Sequence, residues 1–242
     1  MSDERLRARS RSFGSAAELY DRVRPSYPVE AARWLLGDAP RRVVDLGAGT
    51  GKFSRLVASL GHDVVAVEPD AAMLRTLEAT SRGVKTLLGS AEGIPVPDAS
   101  VDAVVAAQSY HWFASDEARA EIARVLRAGG VFGPIWNTRD DSVPWVAELT
   151  RSVLQDDGAS SDHTGIGSFG TLFGAVERAE FRHSAIQTRE SLRDLVRSRS
   201  KYLVGDANER REMDETVATI TRELPASFEL PYITIAYRAA RL

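Results

Sequence analysis

The sequence predicts an α/β protein: a doubly wound, mostly parallel sheet with a helical cap inserted after the fifth strand. Three observations lead there. Between residues 42 and 136, short strands that are apolar on both faces alternate with stretches of helical periodicity, as in a parallel sheet covered on both sides. A turn with three glycines follows the first of these strands. The length, 242 residues, is long for one domain and short for two, which favours one α/β domain with an elaboration.

Taken in order, residues 1–12 carry Arg5, Arg7, Arg9 and Arg11 with little to bury, and read as a solvated arm. Pro25 and Pro28 push the residues before them to extended geometry. A short helix follows, from Pro28 to Gly37. "RVVDL" is a buried strand, and "KFSRLVASL" sets Phe53, Leu56, Val57 and Leu60 at helical spacing. "DVVAVE" is the second strand. Asp70 caps a helix that buries Met73, Leu74 and Leu77. "VKTLLGS" and "VDAVVAA" are the third and fourth strands. Ser115 then caps a helix with Ala118, Ile122, Val125 and Leu126 on one face, which stops at Gly129-Gly130. "VFGPIW" is the fifth strand.

Beyond Trp136 the rhythm changes. Pro144 starts a helix, and "DDGASSDHTGIGSFG" is a long polar loop. Two helices follow, near 192–204 and 208–224, the second with Met213, Val217, Ile220 and Leu224 on one stripe. "YITIAYRA" alternates like a strand. The expected organisation is an arm and lid at 1–40, an α/β core at 41–137, a cap at 138–225 and a C-terminal strand at 226–242 that completes the sheet.

A net charge of -3 and a pI near 5.9 argue against a nucleic-acid binder that works through a broad basic field. With no cysteine, disulfides, thiolate zinc sites and a cysteine nucleophile are excluded. No stretch approaches the roughly 18 apolar residues of a membrane span, and the start, "MSDERLRARSRSFGS", has no apolar segment. The expectation is a cytoplasmic protein without a membrane partner.

Gly47, Gly49 and Gly51 let the backbone turn sharply and approach a ligand at the carboxyl edge of the sheet, where open sheets of this kind bind ligands. The dinucleotide fingerprint would place its third glycine at position 52, which is Lys52, and no phosphate loop ending in Gly-Lys-Ser/Thr is present. Glu68 closes the second strand, where a carboxylate accepts from both hydroxyls of a ribose.

In this order, "VVDLGAGTGKFS", "VVAVEPD", "GSAEGIPVPDASVDAVVAAQSYHWF" and "ARVLRAGGVF" resemble the successive motifs of class I S-adenosylmethionine-dependent methyltransferases, over roughly residues 13 to 136. "FGSAAELYDRVRPSYP" is similar to the opening of the small-molecule branch that includes trans-aconitate-type methyltransferases. The resemblance implies a Rossmann-like, seven-stranded fold. It also implies S-adenosylmethionine as cofactor, S-adenosylhomocysteine as product, no metal, and a small-molecule acceptor taken by a monomer or homodimer. Carried over residue by residue, Gly47, Ala48 and Gly49 pass beneath the methionine part, with Gly51 closing the turn, and Asp45 orients the amino group. Glu68 holds the ribose. Pro69 and Met73 lie against the adenine, Ala91 and Glu92 at its edge. Ser90 stands where many relatives have an aspartate. Gln108 lies beside the sulfonium, and Tyr20 and Arg24 close over the cofactor.

Met73 reads equally as core. Tyr27, Trp112 and Trp136 are candidates for the acceptor pocket, with core packing as the competing role for the tryptophans. His111, at the carboxyl end of the fourth strand, has three readings: a base for a hydroxyl acceptor, a contact to the acceptor, or a packed histidine. The expected reaction is methyl transfer to an oxygen, carboxylate or hydroxyl, by in-line displacement. The alternatives are an NAD-type oxidoreductase, a protein or RNA methyltransferase, and a non-catalytic cofactor-binding domain.

Overall fold

The computed structural model describes Asp21, Val23–Leu154 and Gly165–Leu242. Tyr20, the arm before it and residues 156–164 of the polar loop lie outside the described residues. The elements are α1 (Val29–Leu36), β1 (Arg42–Leu46), α2 (Lys52–Ser59), β2 (Asp63–Glu68), α3 (Ala71–Thr80), β3 (Lys85–Leu88), β4 (Val101–Ala107), α4 (Asp116–Val125), β5 (Leu126–Arg139), α5 (Pro144–Leu149), β6 (Glu177–Thr188), α6 (Arg189–Arg197), α7 (Ser200–Val204), α8 (Ala207–Ile220) and β7 (Ser227–Ala240).

The seven strands form one sheet in the order β3-β2-β1-β4-β5-β7-β6. The pairs β1–β2, β1–β4, β2–β3 and β4–β5 are parallel. β7 runs against β5: Arg241 N–H donates to Gly130 O, while at the other end Asp140 N–H donates to Pro231 O. The sheet is therefore mixed, and strand order reverses between β1 and β4. That switch point opens a crevice at the carboxyl ends of both strands.

The described residues divide into two compact units. Residues 26–137, 165–181 and 234–242 form a sheet unit; Asp21 and residues 23–25, 138–154 and 182–233 form a helical unit. In the sheet unit Ala31, Ala32, Leu35 and Leu36 of α1 and Phe53 and Val57 of α2 pack on Val43, Val64, Ala103 and Val105. α1, expected within the arm and lid, packs into this core. Elsewhere in the unit Tyr110, Phe132 and Phe169 meet edge to face, with ring centroids 4.8–5.7 Å apart, the favoured arrangement for aromatic pairs. In the helical unit Leu149 and Val153 pack with Leu192, Leu195 and Val196 of α6, Met213 and Val217 of α8, and Phe228, Leu230 and Tyr232 of β7.

Four expectations change. Segment 177–188, placed within a helical cap, is a strand of the sheet, and as the last in the order it leaves β7 an interior strand. Its half-buried face carries only Ala179, Phe181, His183, Ala185 and Gln187, too little apolar surface for an alternation to show. The helix expected over 192–204 breaks after Arg197, because Ser198 Oγ bonds back to Leu195 O and Arg199 turns extended (ψ 145°). The helix expected over 208–224 ends at Ile220, and β5 begins at Leu126, before the two glycines.

Candidate active site

β1 alternates sides, so Asp45 shares the face of Val43, which α1 and α2 cover. The chain then turns through Gly47 to Gly51. Gly47 N–H and Ala48 N–H both donate to Val67 O, at 2.8 and 3.2 Å, tying the turn to the end of β2. The glycines take φ of 68°, 58° and 83°, a region other residues enter at about 1–2 kcal/mol. Their surroundings differ. A Cβ on Gly47 would lie 2.7 Å from Ser109 Cβ, and one on Gly51 2.6 Å from Leu77 Cγ. On Gly49 it would meet only Met73 Sδ, at 3.8 Å. Two of the glycines are therefore demanded by internal packing. Gly49 alone faces open space, as the floor of a ligand site does.

Glu68, the last residue of β2, stands beside this floor. Its Oε2 accepts from Gly49 N–H at 2.8 Å and its Oε1 from Asp70 N–H at 2.9 Å. Asp70 in turn caps α3 through Ala72 N–H and Met73 N–H. Held by two backbone amides, the Glu68 carboxylate has a fixed orientation, and each oxygen keeps a further lone pair. Burial raises its pKa, the two amides pull it back, and the charge of Asp70 raises it again. Asp45 is fully buried: Oδ2 accepts the Ser54 hydroxyl at 2.6 Å, and Oδ1 has no hydrogen-bond partner. Burial raises its pKa to about 7, the Ser54 hydroxyl opposing and the Glu68 charge adding to the rise.

Gly89 N–H donates to Glu68 O at 3.3 Å, which brings the following loop beside Glu68. Ala91 of that loop is buried, Ser90 half-buried and Glu92 exposed. α4 holds the loop: Ile94 N–H donates to Glu121 Oε1, and Arg124 donates to Ile94 O and Val96 O. Met73 is buried and Pro69 exposed.

β4 ends at a strained residue. Gln108 has φ 58°, with its N–H on Ile135 O and its Nε2 on Asn137 O, both at 2.9 Å. Such strain concentrates at functional sites. Ser109 Oγ donates to Leu46 O at 2.7 Å and joins this end to the glycine turn. The 3-10 turn Tyr110–Trp112 then presents His111, half-buried. Trp136 Nε1–H donates to His111 Nδ1 at 3.4 Å. A neutral imidazole that accepts on one nitrogen carries its proton on the other, so this contact sets the proton on Nε2. Trp112 is 38% exposed, its ring 4.7 Å from that of His111; Trp136 is 1% exposed.

The fold thus gathers Asp45, Gly47, Ala48, Gly49, Gly51, Glu68, Met73, Gln108 and His111, with Pro69 and the Ser90–Glu92 loop alongside. Tyr27 is core, edge-on to Phe53 at 4.9 Å within the α1 and α2 cluster. Arg24 belongs to the helical unit, where its charge reaches Tyr232 with those of Arg139 and Arg199. Three supporting residues were not singled out by the motifs: Ser54, Ser109 and Asn137. Ser54 alone left a trace, as a small polar side chain on the buried face of α2. Among the described residues no group of three or more His, Asp or Glu is placed to hold a metal ion, and no helix is long and apolar enough to cross a membrane.

Comparison with known proteins adds four findings. A family described as a methyltransferase domain matches residues 44–133. A protein of Mycobacterium tuberculosis named as an uncharacterized methyltransferase is 43% identical over 235 residues, 95% of this chain and 96% of its own. A malonyl-[acyl-carrier protein] O-methyltransferase of Methylococcus capsulatus is 37% identical over 131 residues, 49% of this chain and 47% of its own. Among solved structures, one assigned as a type II methyltransferase from Anaeromyxobacter dehalogenans superposes with a TM-score of 0.66 at 26% identity, covering 90% of this chain and 97% of that one.

Proposed function

Because this chain belongs to the class I S-adenosylmethionine-dependent methyltransferases, we propose that it methylates an oxygen of a small-molecule acceptor by in-line displacement. The observation that carries the site is the Glu68 carboxylate, fixed by Gly49 N–H and Asp70 N–H beside an open glycine floor. The residues fit the cofactor. Glu68 has the lone pairs to accept two ribose hydroxyls, and the open side of Gly49 leaves room for the methionine part. The unpartnered Oδ1 of Asp45 puts a buried acidic group behind the turn, suited to a cationic amino group. Met73, Pro69, Ala91, Ser90 and Glu92 would border the adenine. When bound, S-adenosylmethionine supplies a methyl group activated by the sulfonium charge.

Alignment of acceptor and methyl group is the main contribution asked of the protein, up to about 7–11 kcal/mol for a well-oriented pair. Gln108, locked by two hydrogen bonds, and His111 stand at the reacting end. With Nδ1 turned to Trp136, a neutral His111 carries its proton on Nε2 and is suited to donate to an acceptor oxygen, not to take a proton from it. That favours a carboxylate acceptor, which needs no base, over a hydroxyl. The name of the Methylococcus relative supports oxygen as the atom methylated, and the net charge of -3 favours a small acceptor over nucleic acid.

The test is a screen of metabolite pools with purified enzyme and methyl-labelled S-adenosylmethionine. The expected product is a methyl ester, recognised by release of labelled methanol in mild alkali. Label that survives alkali on a nitrogen or carbon, or that appears only on macromolecules, would overturn the proposal.

A further inference from the structure

In the helical unit, α6, α7 and α8 border an open surface groove of about 610 Å³, within the volume range of small-ligand sites. Its walls are unusually rich in guanidinium groups. Arg193 and Arg197 lie one turn apart on α6; Arg210 and Arg211 stand on α8; Tyr202 comes from α7. Of these four arginines, only Arg197 forms an ion pair among the described residues.

Arg197 pairs with Asp214 at 3.1 Å, and the Tyr202 hydroxyl donates to the same oxygen, also at 3.1 Å. Arg210 donates to two neutral carbonyls, Tyr202 O at 3.0 Å and Leu203 O at 2.8 Å, with its guanidinium 5.7 Å from the centre of the Tyr202 ring. Arg211 donates to the neutral side chain of Asn208. Arg193 makes no hydrogen bond or ion pair among the described residues. Three of the four guanidinium groups therefore have no ion-pair partner among the described residues. One of them, Arg210, is already fixed in place by backbone carbonyls.

Asp214 and Glu215 also line the groove. Set against four arginines, they leave a formal surplus of two positive charges among the lining residues, with Asp194 just outside them, 3.9 Å from Arg197. That surplus matches a phosphate monoester, which carries about -1.5 to -2 at neutral pH and three acceptor oxygens. A carboxylate has one charge and two oxygens, fewer than guanidinium forks on two facing helices can use. We propose that this groove binds a phosphate monoester or diphosphate group. The inference rests on α6 to α8 alone and does not depend on the methyl-transfer reading.

The probe is inorganic pyrophosphate, titrated calorimetrically into the full chain in a phosphate-free buffer. Wild type is expected to bind, more weakly as salt rises. The double variant Arg193→Gln/Arg211→Gln, with an unchanged circular dichroism spectrum, is expected to bind at least about tenfold more weakly, with S-adenosylhomocysteine affinity unchanged. In parallel, pyrophosphate should protect Arg193, Arg210 and Arg211 from phenylglyoxal, read by mass spectrometry. No binding by wild type, equal binding by the double variant, or protection at other arginines only would overturn the assignment. Co-sedimentation identifies the source of the phosphate. Pelleting with phosphatidic acid vesicles and not with phosphatidylcholine, lost in the variant, supports a lipid headgroup. Pyrophosphate binding without pelleting supports a soluble ligand.

Discussion

The strand ends beside the glycine turn and the helix ends of the helical unit use their polar residues in opposite ways. At the carboxyl ends of β1, β2 and β4, polar groups sit where they cost stability. Asp45 is buried with one oxygen unpartnered, Glu68 has its pKa raised by burial, and Gln108 adopts a left-handed backbone. In the helical unit they close helix ends. Thr188 and Ser191 form a capping box on α6, and Asp206 and Glu209 another on α8, each cap worth about 1 kcal/mol. The contrast separates residues kept for a ligand from residues kept for the fold. A group that weakens the apo protein at a strand end is a site residue; a group that satisfies a helix terminus is scaffolding.

The largest expected effect comes from Asp45. An acid whose folded pKa is raised from 3.8 to about 7 imposes no penalty below pH 4. The penalty grows through the window up to pH 7 and is constant above it. At about 1.4 kcal/mol per pH unit this is on the order of 4 kcal/mol. The stability of wild type measured against Asp45→Asn should therefore fall by about that much between pH 4 and pH 8, followed by urea denaturation. A parallel pair of pH curves would remove Asp45 from the strained set.

The glycines sharpen the contrast within one turn. Gly51→Val combines a left-handed φ of 83° with a clash on Leu77, and should cost about 2–5 kcal/mol of stability. Gly49→Ala meets open space and should cost only about 1–2 kcal/mol, while weakening S-adenosylhomocysteine binding by more than Gly51→Ser does in whatever fraction remains folded. Equal stability losses at the two positions would erase the distinction between packing and ligand glycines.

His111 gives the smallest of these effects. With Nδ1 held by Trp136, His111→Ala should lower turnover by about tenfold, and His111→Gln by less, because an amide donor survives. The pH profile should keep its shape in both. A loss of 10²–10⁴-fold with disappearance of a titration near neutrality is the behaviour of a general base, and would return the proton to Nδ1.

Much of this was legible in the sequence. β2 and β4 run where their apolar stretches place them, and Asp70 and Ser115 cap α3 and α4 as their positions suggest, since a strand covered on both faces leaves an unbroken apolar signature. β6 was not legible: it is an edge strand whose inward face is mostly small or polar. The break between α6 and α7 depends on one serine hydroxyl turning back on its own helix. In the site, the glycine turn and Glu68 announce themselves through spacing. Ser109 and Asn137 do not, because their partners, Leu46 and Thr234, lie 63 and 97 residues away. Gly47 and Gly51 also show that three glycines in a turn overstate the ligand, since packing alone demands two of them.

The most direct test of the site is calorimetric titration of S-adenosylhomocysteine into wild type and Glu68→Ala, with NAD as control. Wild type should bind S-adenosylhomocysteine and not NAD. Loss of a charge-assisted bond of about 1.5–3 kcal/mol should weaken Glu68→Ala at least tenfold, in a variant that retains its thermal transition. An unchanged dissociation constant in the folded variant, or tight NAD binding with no S-adenosylhomocysteine signal, would contradict a cofactor held by Glu68 beside the glycine turn.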